Sequence, residues 1–159
     1  MIARHPYRSK IDLSDGYHQI RIFPPHEQYT AFSTPKGVYR SRVMQQGDCN
    51  APATFMNVMT TIFSKQLGVS VFIYIDDIFI YSATLKDHHQ HIREVLSLLR
   101  KHSFYASKDK SEFLPQELHI LGHIITQKGI SPEPKKITGV QDFPRPRNRK
   151  QLQSFISKA

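Results

Sequence analysis

Two adjacent aspartates, Asp76 and Asp77, interrupt the most apolar stretch of the chain. Val71 to Ile75 precedes them and Ile78 to Tyr81 follows, both rich in β-branched and aromatic residues. The stretch from Val69 to Tyr81 is too short to span a bilayer. It reads instead as a β-hairpin with the acidic pair at its tip. Side-by-side carboxylates within a core-forming sheet are costly unless something neutralises them. A divalent cation does so: Mg2+ takes oxygen ligands, usually one or two carboxylates, and completes its shell with phosphate and water. A third carboxylate, Asp12, ends a second apolar strand. With that strand beside the hairpin, Asp12 and Asp76 would flank a pair of metals ~3.5–4 Å apart, an arrangement suited to phosphoryl or nucleotidyl transfer. The plainer reading is a simple turn at Asp76-Asp77 and a strand end at Asp12, since aspartate is common in turns.

The surrounding pattern supplies a fold. Lys10 to Ile22 opens as a strand and turns at Asp15-Gly16, and Pro24-Pro25 closes it. Tyr29 to Phe32 and Val38 to Met44 read as short strands around a Pro35-Lys36-Gly37 turn. Asn50 is the expected N-cap of a helix with Pro52 in its first turn. Phe55, Val58, Met59, Ile62 and Phe63 form its apolar face, and Gly68 ends it. Thr84 and Asp87 make a capping-box pattern for a second helix, striped by Ile92, Val95, Leu96 and Leu99. Arg100, Lys101 and His102 suit the negative end of its dipole. His88, His89 and His91 share that helix with no cysteine or second histidine cluster at zinc spacing, so they are expected to face solvent. Phe104 to Phe113 is short and basic. Leu118 to Thr126, a Gln127-Lys128-Gly129 turn and Ile130 predict a further hairpin. After Ser131 proline and basic residues accumulate, with short helices expected over Lys135 to Asp142 and Arg149 to Lys158. The order predicts an α+β fold of the ferredoxin-like split β-α-β kind, an antiparallel sheet with two helices packed on one face.

Composition narrows the partners. Across 159 residues, 22 Lys and Arg outnumber 13 Asp and Glu, a net charge of +9. That surplus favours a polyanion, nucleic acid first, with plain solubility as the alternative. A single cysteine, Cys49, excludes a disulfide framework within the chain and points to a reducing, intracellular setting. Met1 to Lys10 is basic and lacks the apolar run of a signal peptide. No membrane association is expected.

Tyr74-Ile75-Asp76-Asp77 resembles the Tyr-x-Asp-Asp box of reverse transcriptases. Lys10-Ile11-Asp12-Leu13-Ser14-Asp15-Gly16-Tyr17-His18-Gln19-Ile20 resembles their first metal-binding motif, and Asn50-Ala51-Pro52-Ala53-Thr54-Phe55 the helix start between the two. Leu121-Gly122-His123, followed by Gly129-Ile130-Ser131-Pro132, resembles the primer-grip region. Four motifs in this order, covering nearly the whole chain, are similar to the polymerase of gypsy-class long-terminal-repeat retrotransposons. The resemblance implies a polymerase palm that copies RNA into DNA. Asp12 and Asp76 would be the main metal ligands, supported by Asp77 and the Leu13 carbonyl, and would hold two Mg2+ ions, with Mn2+ as an alternative. Backbone amides at Asp15 and Gly16 would hold the triphosphate, and Tyr17 would exclude a ribose 2′-hydroxyl. Gln46 sits where retroviral enzymes carry a nucleotide-contacting glutamine, although Gln45-Gln46-Gly47-Asp48 departs from the Pro-Phe-Gly-Leu of many gypsy-class members. Lys110 would protonate the leaving pyrophosphate, help typically worth ~10²–10⁴-fold. Leu121 and Gly122 would grip the primer end.

By the same resemblance, residues 1–130 form the palm with most of the fingers missing, and residues 131–159 begin a thumb that is cut short. The implied partners are an RNA or DNA template, a nucleic-acid primer, deoxynucleotides and the other domains of a Pol polyprotein. The implied location is cytoplasmic, within virus-like particles. These 159 residues alone are expected to polymerise weakly or not at all. Two rivals stand beside this reading: another palm enzyme such as a nucleotide cyclase, and a non-catalytic retroelement remnant that binds nucleic acid or is inert.

Overall fold

The computed structural model describes residues 2–157, leaving aside the side chains at positions 139 and 140. Two compact units divide the chain, one of Arg4–Leu114 and one from Pro115 onward. The first begins with β1 (Tyr7–Leu13), a 3-10 turn (Gly16–Gln19) and a 3-10 helix (Pro24–Thr30). A small ribbon follows, of β2 (Phe32–Thr34) and β3 (Gly37–Tyr39), and then α1 (Ala51–Ile62). The hairpin of β4 (Val71–Tyr74) and β5 (Asp77–Ser82), then α2 (Leu85–Lys101) and β6 (Ala106–Phe113), complete the unit. Its main sheet has the order β4-β5-β1-β6 with every neighbouring pair antiparallel. This is the split β-α-β arrangement expected from the sequence.

Strand alternation decides what each face carries. On β1, Ser9, Ile11 and Leu13 are buried on one face, and Arg8, Lys10 and Asp12 occupy the other. Central strand β5 is buried continuously from Ile78 to Ser82. Helix α1 presents Ala51, Phe55 and Met59 at four-residue spacing, with Phe63 one turn on. Helix α2 adds Val95 and Leu99. These side chains join Ile11, Leu13, Ile73, Ile78 and Ile80 in one core. Truncating fully buried Phe55 to alanine would cost about 3–5 kcal/mol.

Several elements depart from their sequence reading. Tyr29 lies in the 3-10 helix rather than a strand, because Pro24-Pro25 fixes φ and starts a tight turn there. Helix α1 ends at Ile62, ahead of Gly68, and Asn50 sits at its N-cap without a side-chain cap bond. The Thr84 cap forms as expected, accepting from the Asp87 N–H at 3.1 Å and donating to Asp87 Oδ2 at 2.7 Å. His88 is a correction: it is fully buried rather than solvent-facing. Its Nε2 lies 2.8 Å from Ser9 Oγ and its Nδ1 2.8 Å from Ser82 Oγ, so two strand hydroxyls satisfy both ring nitrogens. His91 Nδ1 shares the Ser82 hydroxyl at 2.8 Å, while His89 is exposed. Strand β6 carried no strand-like alternation, since an edge strand is largely exposed.

The second unit is a three-stranded antiparallel meander, β7 (Leu118–Ile120), β8 (His123–Thr126) and β9 (Gly129–Pro132). It is followed by α3 (Pro134–Gln141) and α4 (Arg149–Ile156). The final helix was expected to reach Lys158, which lies outside the described residues. Asn148 caps it by accepting from the Gln151 N–H at 2.9 Å. Among the described residues no helix is long and apolar enough to cross a membrane.

Candidate active site

The sheet register brings the carboxylates together. Asp12, the penultimate residue of β1, pairs directly with Asp77, the first residue of β5. Tyr74 pairs with Asp77, so the hairpin turn is Ile75-Asp76, and Asp77 already belongs to the strand. The acidic pair is therefore split between turn and strand rather than lying at the tip together. Ile75 adopts φ +51, a conformation that a β-branched residue rarely takes. Holding it there costs on the order of 1–3 kcal/mol, a cost that structures tolerate mainly at functional turns. The Leu13 N–H donates to the Asp76 carbonyl at 3.2 Å, tying the turn to the end of β1.

The electrostatics of the site converge on Asp76. Its Oδ1 is buried and has no hydrogen-bond partner. Burial raises its pKa first, then the neighbouring charges of Asp12, Asp77 and Asp15, while Lys110 partly offsets them. The oxygen lies where a Cβ on Gly16 would fall, 2.6 Å away, so glycine is required for this approach. Asp77 is held differently. Lys10, two residues before Asp12 on the same strand face, places Nζ 3.0 Å from Asp77 Oδ2 and 5.9 Å from the Phe79 ring centroid. Among the described residues, no three His, Cys, Asp or Glu side chains gather closely enough to hold an ion unaided. Asp12 and Asp76 thus offer two carboxylates, one with an unsatisfied oxygen, the number Mg2+ uses when phosphates complete its shell.

The segment after β1 packs over this centre. Asp15 takes a left-handed conformation, φ 48 and ψ 48, and opens the 3-10 turn that contains Gly16 and Tyr17. The buried Tyr17 ring lies 5.2 Å from that of Phe55. Its phenol pKa is raised by burial and by Asp76. Lys110 belongs to an irregular part of β6. Lys10 pairs with Glu112 and Asp12 with Ser107, so residues 108–111 bulge beside Asp12. Ser111 closes the neck, accepting from the Asp12 N–H at 3.3 Å and donating to the Ser107 carbonyl at 2.5 Å.

Three further expected residues, Gln46, Leu121 and Gly122, lie on other segments of the chain. Gln46 is exposed in a turn locked by Asp48, whose Oδ2 accepts from the Gln45 N–H at 2.9 Å. Asp48 thereby has a structural task in this turn. Leu121 and Gly122, in the second unit, form the two-residue β7–β8 turn with φ +51 and +74. Sequence reasoning assigned no task to Lys10, Gln19 or Ser111. Only Lys10 carried a usable signal, its two-residue spacing from Asp12 on one strand face.

The profile of the reverse transcriptase (RNA-dependent DNA polymerase) family matches residues 2–125. The chain belongs to the reverse transcriptase family. The retrovirus-related Pol polyprotein from transposon 297 of Drosophila melanogaster is 38% identical over 155 residues, 98% of this chain and 15% of that protein. The transposon Tf2-3 polyprotein of Schizosaccharomyces pombe is 34% identical over 148 residues, 93% of this chain and 11% of that protein. The chain therefore spans only a small part of the polyproteins it matches. In three dimensions it resembles the foamy viral protease-reverse transcriptase solved in complex with an RNA/DNA hybrid. That similarity has a TM-score of 0.82 and 29% identity, covering 98% of this chain and 21% of the other. Reverse transcriptases as a family use divalent metal ions.

Proposed function

We propose that this chain is the catalytic palm of an RNA-directed DNA polymerase, part of the Pol polyprotein of a gypsy-class long-terminal-repeat retrotransposon. The observation that carries the reading is the orphaned, buried Asp76 Oδ1 set among Asp12, Asp77 and Asp15. A purely structural turn gains nothing from such a cluster, whereas a cation-binding one requires it. Asp12, Asp76 and the Leu13 carbonyl would hold two Mg2+ ions, or Mn2+, with Asp77 in support. When bound, the ions would supply activation of the primer hydroxyl and charge stabilisation at the phosphates.

The chain's own groups would do the rest. Amides at Asp15 and Gly16 would seat the triphosphate, and Tyr17 would sit under the sugar to exclude a 2′-hydroxyl. In the reaction the primer 3′-oxygen bonds to the α-phosphorus, and the bond from that phosphorus to the β-phosphate bridging oxygen breaks. Lys110 would give a proton to the departing pyrophosphate. Gln46 would border the nucleotide, and Leu121-Gly122 would hold the primer end. Residues 1–130 would act as palm and 131–159 as the beginning of a thumb, whose basic residues would contact backbone phosphates without sequence preference. RNA or DNA template, primer and deoxynucleotides would be the partners, within a cytoplasmic virus-like particle.

The test is primer extension on an RNA template, with residues 1–159 replacing the matching segment of the transposon 297 polyprotein. Mg2+-dependent extension that disappears in Asp76→Asn supports the reading. A well-folded chimera that extends nothing, yet still binds nucleic acid, would instead favour a non-catalytic remnant. The 159 residues alone are expected to extend weakly or not at all.

A further inference from the structure

We infer that Gln19 is a positioning residue that sets nucleotide selection by locking the Ser14–Gln19 loop onto the strand across from it. The inference rests on the polymerase reading above. Ladder pairing between β1 and β6 ends at Leu13 and Ala106. One residue further, the Ser14 N–H still donates to the Tyr105 carbonyl at 3.0 Å. There the backbone of residues 14–19 turns away from the sheet, and the Gln19 carboxamide takes over the pairing. Its Oε1 accepts from the Tyr105 N–H at 2.7 Å, and its Nε2 donates to the Tyr105 carbonyl at 3.0 Å. The same Nε2 donates to the Ser14 carbonyl and closes the loop on itself.

A primary amide is the side chain that can do this. It presents one donor and one acceptor in a plane, as a peptide group does. Glutamate keeps the acceptor but sets a carboxylate against two carbonyls, and methionine keeps the shape without either polar group.

What the clamp holds matters for the chemistry. The enclosed loop carries Asp15 in its left-handed conformation, Gly16 against Asp76 Oδ1, and Tyr17 against Phe55. No other side-chain hydrogen bond ties residues 14–19 to a distant segment in the described structure. Tyr105 itself is 71% exposed, so its side chain does little to anchor this edge. Releasing the amide would let the loop drift from Asp76 and blur the depth at which Tyr17 meets the sugar. Ribonucleotide exclusion and deoxynucleotide KM should then suffer more than kcat.

The experiment compares Gln19→Met and Gln19→Glu with the parent in the transposon 297 chimera. The readouts are dNTP and rNTP incorporation kinetics and hydrogen exchange at the Tyr105 amide. The expected result is faster Tyr105 exchange, a roughly tenfold rise in dNTP KM, and a roughly tenfold loss of discrimination against ribonucleotides, as losing about one effective hydrogen bond implies. Gln19→Glu should fall at least as far as Gln19→Met. Faster exchange with unchanged KM and unchanged discrimination would reduce Gln19 to a structural tie and overturn the proposal. So would unchanged exchange, or full selectivity in Gln19→Glu. A parental chimera that extends no primer overturns the polymerase reading and this proposal with it, whereas an active chimera indifferent to Gln19 overturns the proposal alone.

Discussion

Acid should unfold this protein through His88. The imidazole is fully buried between Ser9 of β1 and Ser82 of β5, with His91 on the same hydroxyl and the Tyr7 ring 6.4 Å away. One proton arrangement satisfies the whole chain of groups. Ser9 accepts from the Leu114 N–H at 3.1 Å and donates to Nε2, Nδ1–H donates to Ser82, and Ser82 donates to His91. That arrangement needs a neutral ring. Burial first, then His91 and His89, push the His88 pKa down to about 4 from an ordinary 6.5. Above pH 6.5 neither folded nor unfolded chain protonates this ring, and its contribution to stability is intact. As pH falls from 6.5 to 4, the unfolded chain binds a proton that the folded chain refuses, and stability declines by ~1.4 kcal/mol per pH unit. The accumulated loss is about 3 kcal/mol, a large share of the stability of a small domain. Urea unfolding followed by circular dichroism at half-unit steps from pH 4 to 7.5 measures it. Asp76 contributes a slope of opposite sign, because its raised pKa lets the folded state take up a proton first. The decisive comparison is therefore with His88→Gln, which is less stable at pH 7.5 but lacks this titration. Equal slopes for parent and His88→Gln between pH 4 and 6.5 would refute the reasoning.

Three further outcomes follow from the candidate site and the second unit. Asp76→Asn neutralises a carboxylate whose buried Oδ1 has no hydrogen-bond partner, so in EDTA the melting temperature should rise, and added Mg2+ should raise it further in the parent but not in the variant. Gly16→Ala puts a methyl 2.6 Å from Asp76 Oδ1 and 3.0 Å from Phe55 Cε2. Overpacking of this kind costs about 1–3 kcal/mol, read by urea midpoint. Gly122→Ala meets φ +74 and the Lys136 side chain 2.1 Å away. Shortening Lys136 to alanine in the same chain should recover the steric part of the loss and leave about 1 kcal/mol from the backbone.

Legibility in the sequence tracked how local each cause was. The helical face of α1, the Thr84 cap and the β4–β5 hairpin follow from periodicity and cap chemistry within a few residues, and they form as expected. On α2, Ile92, Val95 and Leu99 meet the core as expected, but Leu96 is exposed and Leu98 packs against the core instead. The three aspartates were visible because carboxylates in apolar runs are costly whatever the fold. His88 was misjudged for a related reason. Its partners, Ser9 and Ser82, sit on two strands, and Ser9 lies 79 residues away, so nothing on the helix itself announces a buried polar relay. Strand β6 was hidden by its exposure, since an edge strand need not alternate. Gln19 and Tyr105 bond across 86 residues, a pairing that only the finished sheet creates.

The same sheet explains why three aspartates can crowd one end of the domain without unfolding it. Direct pairing of Asp12 with Asp77 sets like charges opposite each other, which is unfavourable on its own. Lys10 answers one of them from the same strand face, its ammonium bonded to Asp77 and lying over the Phe79 ring. The pair is partly exposed, so its energetic worth is small and its value is geometric. With Asp77 occupied, Asp12 and Asp76 are left without an ion-pair partner among the described residues, and Lys110 offsets Asp76 only in part. Strand register thus does two tasks at once: it sets Asp12 opposite Asp77, and by placing a lysine two residues upstream it determines which of the two is already ion-paired.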